Sequence, residues 1–245
     1  VLDGDEWVIN GTKMFITNGT LADFAVTMVV TDPEAENPHH KLSVILVPTD
    51  SPGFTATKLH GKMGVRASDT AELVYKNVRV PKENLIGEQG RGFYQLMGFF
   101  DRTRIHIGAQ GVGLAQGCLD RCLAHVKSRK QFGRKLADFQ ATQFKLAEMV
   151  TRIEGGRSMV YRVARMVDKG KIDNALVAMA KWYPGRMAVE IADEAVQIHG
   201  GYGFMDEMDV QRFYRDAKIL ELYEGTREVE KMVIAKALLK GRISD

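Results

Sequence analysis

The chain has 245 residues, 45% of them hydrophobic, enough to fill one large core or two modest ones. Its formal net charge of +3 comes from basic residues spread along the chain, which argues against a nucleic-acid-binding protein. No apolar run reaches the ~18 residues of a membrane span, and no signal peptide is visible.

Val1 falls inside what reads as a strand, with no initiator Met before it, so a fragment or a processed chain is expected. Asp3-Gly4, Asn10-Gly11 and Asn18-Gly19 are hairpin-type turn signals between short apolar runs. Strands are predicted over 24–30, 42–47 and 71–80, with Val80-Pro81 closing the last. The polar stretch 32–40 holds two prolines and reads as a surface loop. Leu85-Ile86-Gly87, Gly90 and Gly92 then mark a crossing into different structure.

From Phe93 onward the apolar period is helical. Ala115, Cys118, Leu119, Cys122, Leu123 and Val126 share one stripe. Phe144, Ala147, Val150 and Ile153 form a second, and Ala188, Ile191, Ala192, Ala195 and Val196 a third. Val229, Met232, Val233 and Ala237 mark the buried stripe of a last helix. Pro184-Gly185 predicts a break or kink in the third pattern, because proline removes a backbone donor and clashes with the preceding turn. The fold class is therefore α+β: a partial antiparallel β-domain over 1–87, then an antiparallel four-helix-type bundle over 88–245. Cys118 and Cys122, the only cysteines, fit a reducing compartment; four apart on one helix face, they read as small core residues rather than a metal or redox pair.

Five segments carry potential chemistry. In Tyr223-Glu224-Gly225-Thr226 a carboxylate precedes a flexible Gly and a Thr placed to cap the next helix; an exposed Glu before a cap is the plainer reading. Lys13 to Gly19 runs from a strand into a tight turn, setting an aromatic beside a hydroxyl, an edge suited to a planar ring; an ordinary strand end looks the same. Ser128 to Arg134, with Phe139-Gln140 beyond, joins two helices; Arg129 suits a phosphate, although basic turns are frequent. Gln197-Ile198-His199-Gly200-Gly201 ends a helix, where glycines admit a ligand close to the backbone or simply form a C-cap. His199 reads as a residue of the helix terminus, without a catalytic role. Phe100 to Arg104 carries charges that read as a solvated face, with Arg104 placed for partial burial beside Ile105.

Together and in this order the segments resemble the acyl-CoA dehydrogenase family of flavoproteins. The similarity rests on 13–19, on Gly-Val-Arg-Ala-Ser-Asp-Thr at 64–70, and on Arg-x-x-Phe-Gly at 129–133. Gln-Ile-x-Gly-Gly at 197–201 and Arg-Asp-Ala-Lys-Ile at 215–219, ahead of Tyr-Glu-Gly-Thr, complete it. It covers essentially the whole chain, which corresponds to the C-terminal two thirds of such a subunit. The helical domain and early loop with which family members begin are not among these residues, so this chain alone is expected to be a poor enzyme.

The resemblance implies an FAD enzyme that forms a double bond between the α and β carbons of an acyl-CoA. Glu224 would be the catalytic base, taking the pro-R α-proton while the β-hydride passes to flavin N5. Its backbone N–H and a ribityl hydroxyl would hold the thioester oxygen as charge grows there. A branch of the family places the base at the position of Thr103, which has no carboxylate. By the same resemblance Phe15, Ile16 and Thr17 line the flavin, with Phe15 in place of the usual Trp. Arg129, Gln131, Phe139, Gln140, Gln197, Ile198, Gly200 and Gly201 reach the FAD of a neighbouring subunit. Thr226 contacts the flavin from its own side, and Glu228 stands where Gln is common. Asp101, Arg104, Tyr223 and Gly225 border the acyl-CoA channel. A homodimer or homotetramer is implied, with electrons passing to an electron-transfer flavoprotein, in a bacterial cytoplasm or mitochondrial matrix. Alternatives on the same scaffold are an acyl-CoA oxidase, an enoyl-CoA reductase, or a non-catalytic flavin-binding subunit; glutaryl-CoA-type substrates also remain open.

Overall fold

A computed structural model describes residues 1–241, and the chain divides into two units, Val1–Phe99 and the remainder from Phe100. In the first unit β1 (Leu2–Asp3) turns at Gly4 into β2 (Glu6–Thr17). β3 (Phe24–Val30), β4 (Leu42–Pro48), β5 (Phe54–Lys58) and β6 (Thr70–Pro81) follow. All pairings are antiparallel: one sheet runs β1-β2-β6-β5 and a second consists of β3 and β4.

Alternation buries one side of the first half of β2 and of β6. Trp7 and Ile9 of β2, Ala71, Leu73 and Tyr75 of β6, and Ile45 and Val47 of β4 share one core. In β6 the inward set then changes parity, to Val78 and Val80. Asn77, at φ 52°, supplies the extra residue, and its N–H bonds Asn10 Oδ1 at 2.8 Å. This bulge accounts for Asn10-Gly11, which is not a hairpin turn but an irregularity inside β2, where the register with β6 shifts. Asn18-Gly19 does end β2, but the strand pairs with β6 rather than with β3, so it closes no hairpin. β5 carries little signal in the sequence, its short Thr-rich run being only weakly apolar.

The helical unit is built from α1 (Gly92–Ser128), whose first turns belong to the first unit, α2 (Gln140–Asp168) and α3 (Asn174–His199). α4 (Val210–Ala217) and α5 (Arg227–Leu239) complete it. A small hairpin of β7 (Lys130–Gln131) and β8 (Arg134–Lys135) joins α1 to α2. The stripes on α1 and α3 pack as expected, with Cys118 and Cys122 free in the core.

Two predicted stripes are corrected. On α2 the buried side chains are Met149, Ile153, Val160 and Val163, while Phe144, Ala147 and Val150 face outward. The run 144–153 is apolar at more than one angle about the axis, and it is the Met149–Val163 line that joins the core shared with α1 and α3. On α5 Val229 and Met232 are exposed, and the one fully buried residue is Glu230.

Of the break or kink expected at Pro184, the break is absent: α3 runs on through the proline to His199. Pro184 leaves the Ala180 carbonyl without its helical donor. There α1 comes close: a Cβ on Gly108 would fall well inside contact distance of that carbonyl oxygen, and one on Gly111 would meet the Pro184 carbonyl at 2.7 Å. Close backbone-to-backbone packing thus covers the carbonyl that the proline frees.

Candidate active site

Glu224 sits between a 3₁₀ turn, Lys218–Glu221, and the start of α5. Its φ of 56° is left-handed, and Gly225 follows at 102°, so two successive residues make a sharp corner. A non-glycine residue held there costs about 1–3 kcal/mol and persists only where its surroundings fix it. Three groups do so. Arg104 Nε donates to the Glu224 carbonyl at 3.0 Å, Lys181 Nζ donates to the Gly225 carbonyl, and Thr103 Oγ1 donates to Glu224 Oε2 at 2.6 Å. α1 and α3 therefore grip the corner from both sides.

The Glu224 carboxylate is half-buried. Among the described residues it has no ion-pair partner, and Oε1 and the backbone N–H are unbonded. An oriented carboxylate with a free oxygen can accept a proton, and a free backbone N–H on the same residue can stabilise growing negative charge.

The residues expected around an acyl chain gather here. Tyr223 Oη donates to Gln110 Oε1, and burial pushes its phenol pKa up. Asp101, on the same helix as Thr103, has its carboxyl raised by burial, with Arg104 opposing. Arg104 is 7% exposed and lies 3.1 Å from Glu230 Oε1. Thr226 occupies the N-cap of α5 without a side-chain cap bond, and Glu228 is held by Arg227 at 2.7 Å, which lowers its pKa.

A second cluster forms where α1 ends, the β7–β8 hairpin turns and α3 stops. Arg129, Gln131, Ile198, Gly200 and Gly201 line one cleft of about 620 Å³. Gly200 has φ 61°, and a Cβ built on Gly200 or Gly201 would meet nothing within 4 Å, so the bare backbone faces open space. Arg129 stands over the Tyr202 ring at 5.2 Å. His199 and His125 stack at 4.3 Å on the wall; His199 Nδ1 bonds the Ala195 carbonyl at 2.8 Å. Burial, with His199 and Arg129 beside it, lowers the His125 pKa. Gln197 is exposed, and Phe139 and Gln140 lie at the start of α2, Phe139 under the Arg134 guanidinium at 3.9 Å; none of these lines the cleft.

In the first unit, Phe15 interrupts β2 at φ 62°, at the register shift between Lys13 and Ile16. Phe15 is 75% exposed, with Ile16 half-buried and Thr17 exposed beside it. The strained bulge turns an aromatic face to the outside, where β-alternation alone would not display it.

Sequence reasoning did not find Lys181, Glu230, Gln110 or His125. For Lys181 a signal existed: it falls at the spacing of Val177, Pro184 and Ala188, on the buried side of α3.

The family model for the acyl-CoA dehydrogenase C-terminal domain matches residues 90–239, and that for the middle domain matches 1–78. The chain is 46% identical to the Bacillus subtilis protein named "Probable acyl-CoA dehydrogenase YngJ" over 98% of its own length and 63% of the relative's. It is 42% identical to a chain of a solved structure described as the electron transferring flavoprotein of Acidaminococcus fermentans, at a TM-score of 0.94, covering 98% of this chain and 62% of that one. Butyryl-CoA dehydrogenase from Megasphaera elsdenii is likewise 42% identical, at a TM-score of 0.93, covering 97% and 62%. The chain thus spans about three fifths of the length of these relatives.

Proposed function

Because the chain belongs to the acyl-CoA dehydrogenase family, we propose that the protein it forms part of removes two hydrogens across the Cα–Cβ bond of an acyl-CoA thioester, with Glu224 as the base. One observation carries this reading: a carboxylate at a left-handed corner, oriented by Thr103, with one oxygen and its own N–H unspent. Glu224 takes the α-proton on its free oxygen while its N–H meets the thioester oxygen, so that the charge left by the proton is stabilised as it forms. Tyr223, Gly225, Asp101 and Arg104 border the acyl group. The relative that acts on butyryl-CoA makes a short acyl chain the first substrate to try.

FAD suits the residues present. The glycine-floored cleft beside Arg129 and Gln131 accepts a dinucleotide's phosphates and polar groups close to backbone, and the outward ring of Phe15 with Thr17 suits a stacked planar ring. When bound, FAD supplies the acceptor for the β-hydrogen and its electron pair. Arg129 and Gln131 would hold it by charge and hydrogen bonds, aided by Ile198, Gly200 and Gly201; Phe139, Gln140, Gln197, Thr226 and Glu228 are the further candidates. Onward transfer to an electron-transfer flavoprotein, a shared-FAD homodimer or homotetramer, and a bacterial cytoplasmic or mitochondrial matrix location belong to the same proposal. No helix among the described residues is long and apolar enough to cross a membrane.

The test is the visible spectrum of the purified full-length protein, followed by acyl-CoA esters added without oxygen. Bleaching of a flavin band with a new long-wavelength charge-transfer band, abolished in Glu224→Gln, is expected. A yellow protein that no ester bleaches overturns the reading.

A further inference from the structure

Behind the Glu224–Gly225 corner lie buried charges that do not touch the reacting proton. Lys181 and Glu230 have no solvent exposure at all. An ammonium or carboxylate taken fully out of water is strongly unfavourable unless something compensates it, so both positions demand a physical reason. Lys181 directs its Nζ at the Gly225 carbonyl. Glu230 Oε1 lies 3.1 Å from Arg104 Nε, yet neither carboxylate oxygen is in hydrogen-bonding geometry with any described group. Glu230 therefore acts through its charge and its bulk. That same Oε1 would be 2.5 Å from a Cβ on Gly225, so the carboxylate is packed against the bare face of the glycine.

The three side chains form one device. Arg104 and Lys181, from α1 and α3, hold the carbonyls of two successive residues, and Glu230, from α5, supplies negative charge 3.1 Å from Arg104 that Lys181 also feels. We propose that Lys181 and Glu230 are positioning residues that lock the Glu224–Gly225 corner and so aim the carboxylate and N–H of Glu224. This rests on the reading of Glu224 as the base. Without an anchored Gly225 carbonyl, the Gly225–Thr226 peptide is free to rotate and Gly225 can leave its φ of 102°, which relaxes the corner and carries the Glu224 carboxylate off its line by about an ångström. Misplacement of that size is enough to cost about a hundredfold in rate.

Burial pushes the Glu230 carboxyl up and the Lys181 ammonium down, while each opposes the other's shift. The charged groups facing this pair are Arg104 and Asp101 from α1, with Glu221 and Glu224 from the segment before α5.

The test uses the full-length, flavin-loaded protein with butyryl-CoA, comparing wild type, Lys181→Met and Glu230→Gln. Both variants are expected to lose kcat, by roughly 10- to 100-fold for Lys181→Met and less for Glu230→Gln, with KM held within about twofold. Amide hydrogen exchange should quicken in a peptide spanning 222–227 and stay unchanged in one spanning 112–126. A folded variant with wild-type kcat and wild-type exchange at the corner overturns the proposal, even if its Tm has dropped. If Lys181→Met does not fold, Glu230→Gln, which keeps the shape, decides alone. If no acyl-CoA reduces the wild-type flavin, the dehydrogenase reading fails, and the exchange comparison still decides whether the pair holds the corner.

Discussion

Thr103 Oγ1 lies 2.6 Å from Glu224 Oε2, joining side chains separated by 121 residues of sequence. A hydroxyl bond to a carboxylate does two things: it fixes which oxygen stays free, and it removes one of the carboxylate's rotamers. Replacing Thr103 with Val keeps the shape and deletes the donor. Bonds to charged groups contribute about 1.5–3 kcal/mol, but a half-exposed carboxylate recovers part of that from water. A fall in kcat of about tenfold is expected, with little change in KM; steady-state kinetics on a short acyl-CoA would check it. An unchanged kcat would mean that the corner, rather than the hydroxyl, orients Glu224.

Gly225 admits no side chain. Its φ of 102° is outside the range that L-residues adopt readily, and a Cβ would meet Glu230 Oε1 at 2.5 Å and Arg104 Nη2 at 3.0 Å. Gly225→Ala should therefore lower both activity and stability, by about 2–4 kcal/mol in the latter from strain and displaced charges together. Thermal or urea unfolding beside kcat measures the two. A variant that loses activity but keeps its Tm would place the effect in the corner alone.

Much of the fold was legible because its patterns are locally complete. The stripes on α1 and α3 have a single apolar face, so periodicity and packing agree, and 24–30 lies between turn signals that leave no other reading. Legibility ended where tertiary contacts decide. Asn10-Gly11 faces a bulge rather than making a turn because Asn77 lies opposite it, and α3 survives Pro184 because Gly108 lies against Ala180. The candidate site behaves likewise. Tyr223 to Thr226 and the segments at 129 and 197 each stand out in the sequence, but the partners that anchor the corner do not. Nothing local marks Thr103 as facing Glu224, or Glu230 as the buried residue of α5 in place of Val229 and Met232. Those assignments depend on how α1, α3 and α5 meet.

The two cysteines should be chemically silent. Burial pushes both thiols up to about 12, and neither has a route to solvent. At pH 8 the reactive thiolate is thus almost absent, and access is blocked as well. A disulfide-exchange reagent should label neither in the native protein and both after unfolding in guanidinium. Fast labelling of the native form would mean that α1 opens locally.

Asp209, just before α4, gives a pH-dependent term. Arg121 grips it in a two-pronged pair, Nε and Nη2 each 2.6 Å from a carboxylate oxygen, and this bond is the largest cause of its lowered pKa. A carboxyl whose folded pKa lies below its unfolded value binds more protons when unfolded. Its stabilising contribution is then fully present above the unfolded pKa and is lost as pH falls through the folded one. Both side chains are more than a third exposed, so solvent screening limits the contribution to about 1 kcal/mol. Asp209→Asn should be less stable than wild type at neutral pH by about that amount, with the gap closing as pH falls below about 4. Urea midpoints at pH 7 and pH 3 measure it. A gap that persists undiminished in acid would mean that the pair acts by packing over Phe213, whose ring lies 4.3 Å beneath the Arg121 guanidinium, rather than by charge.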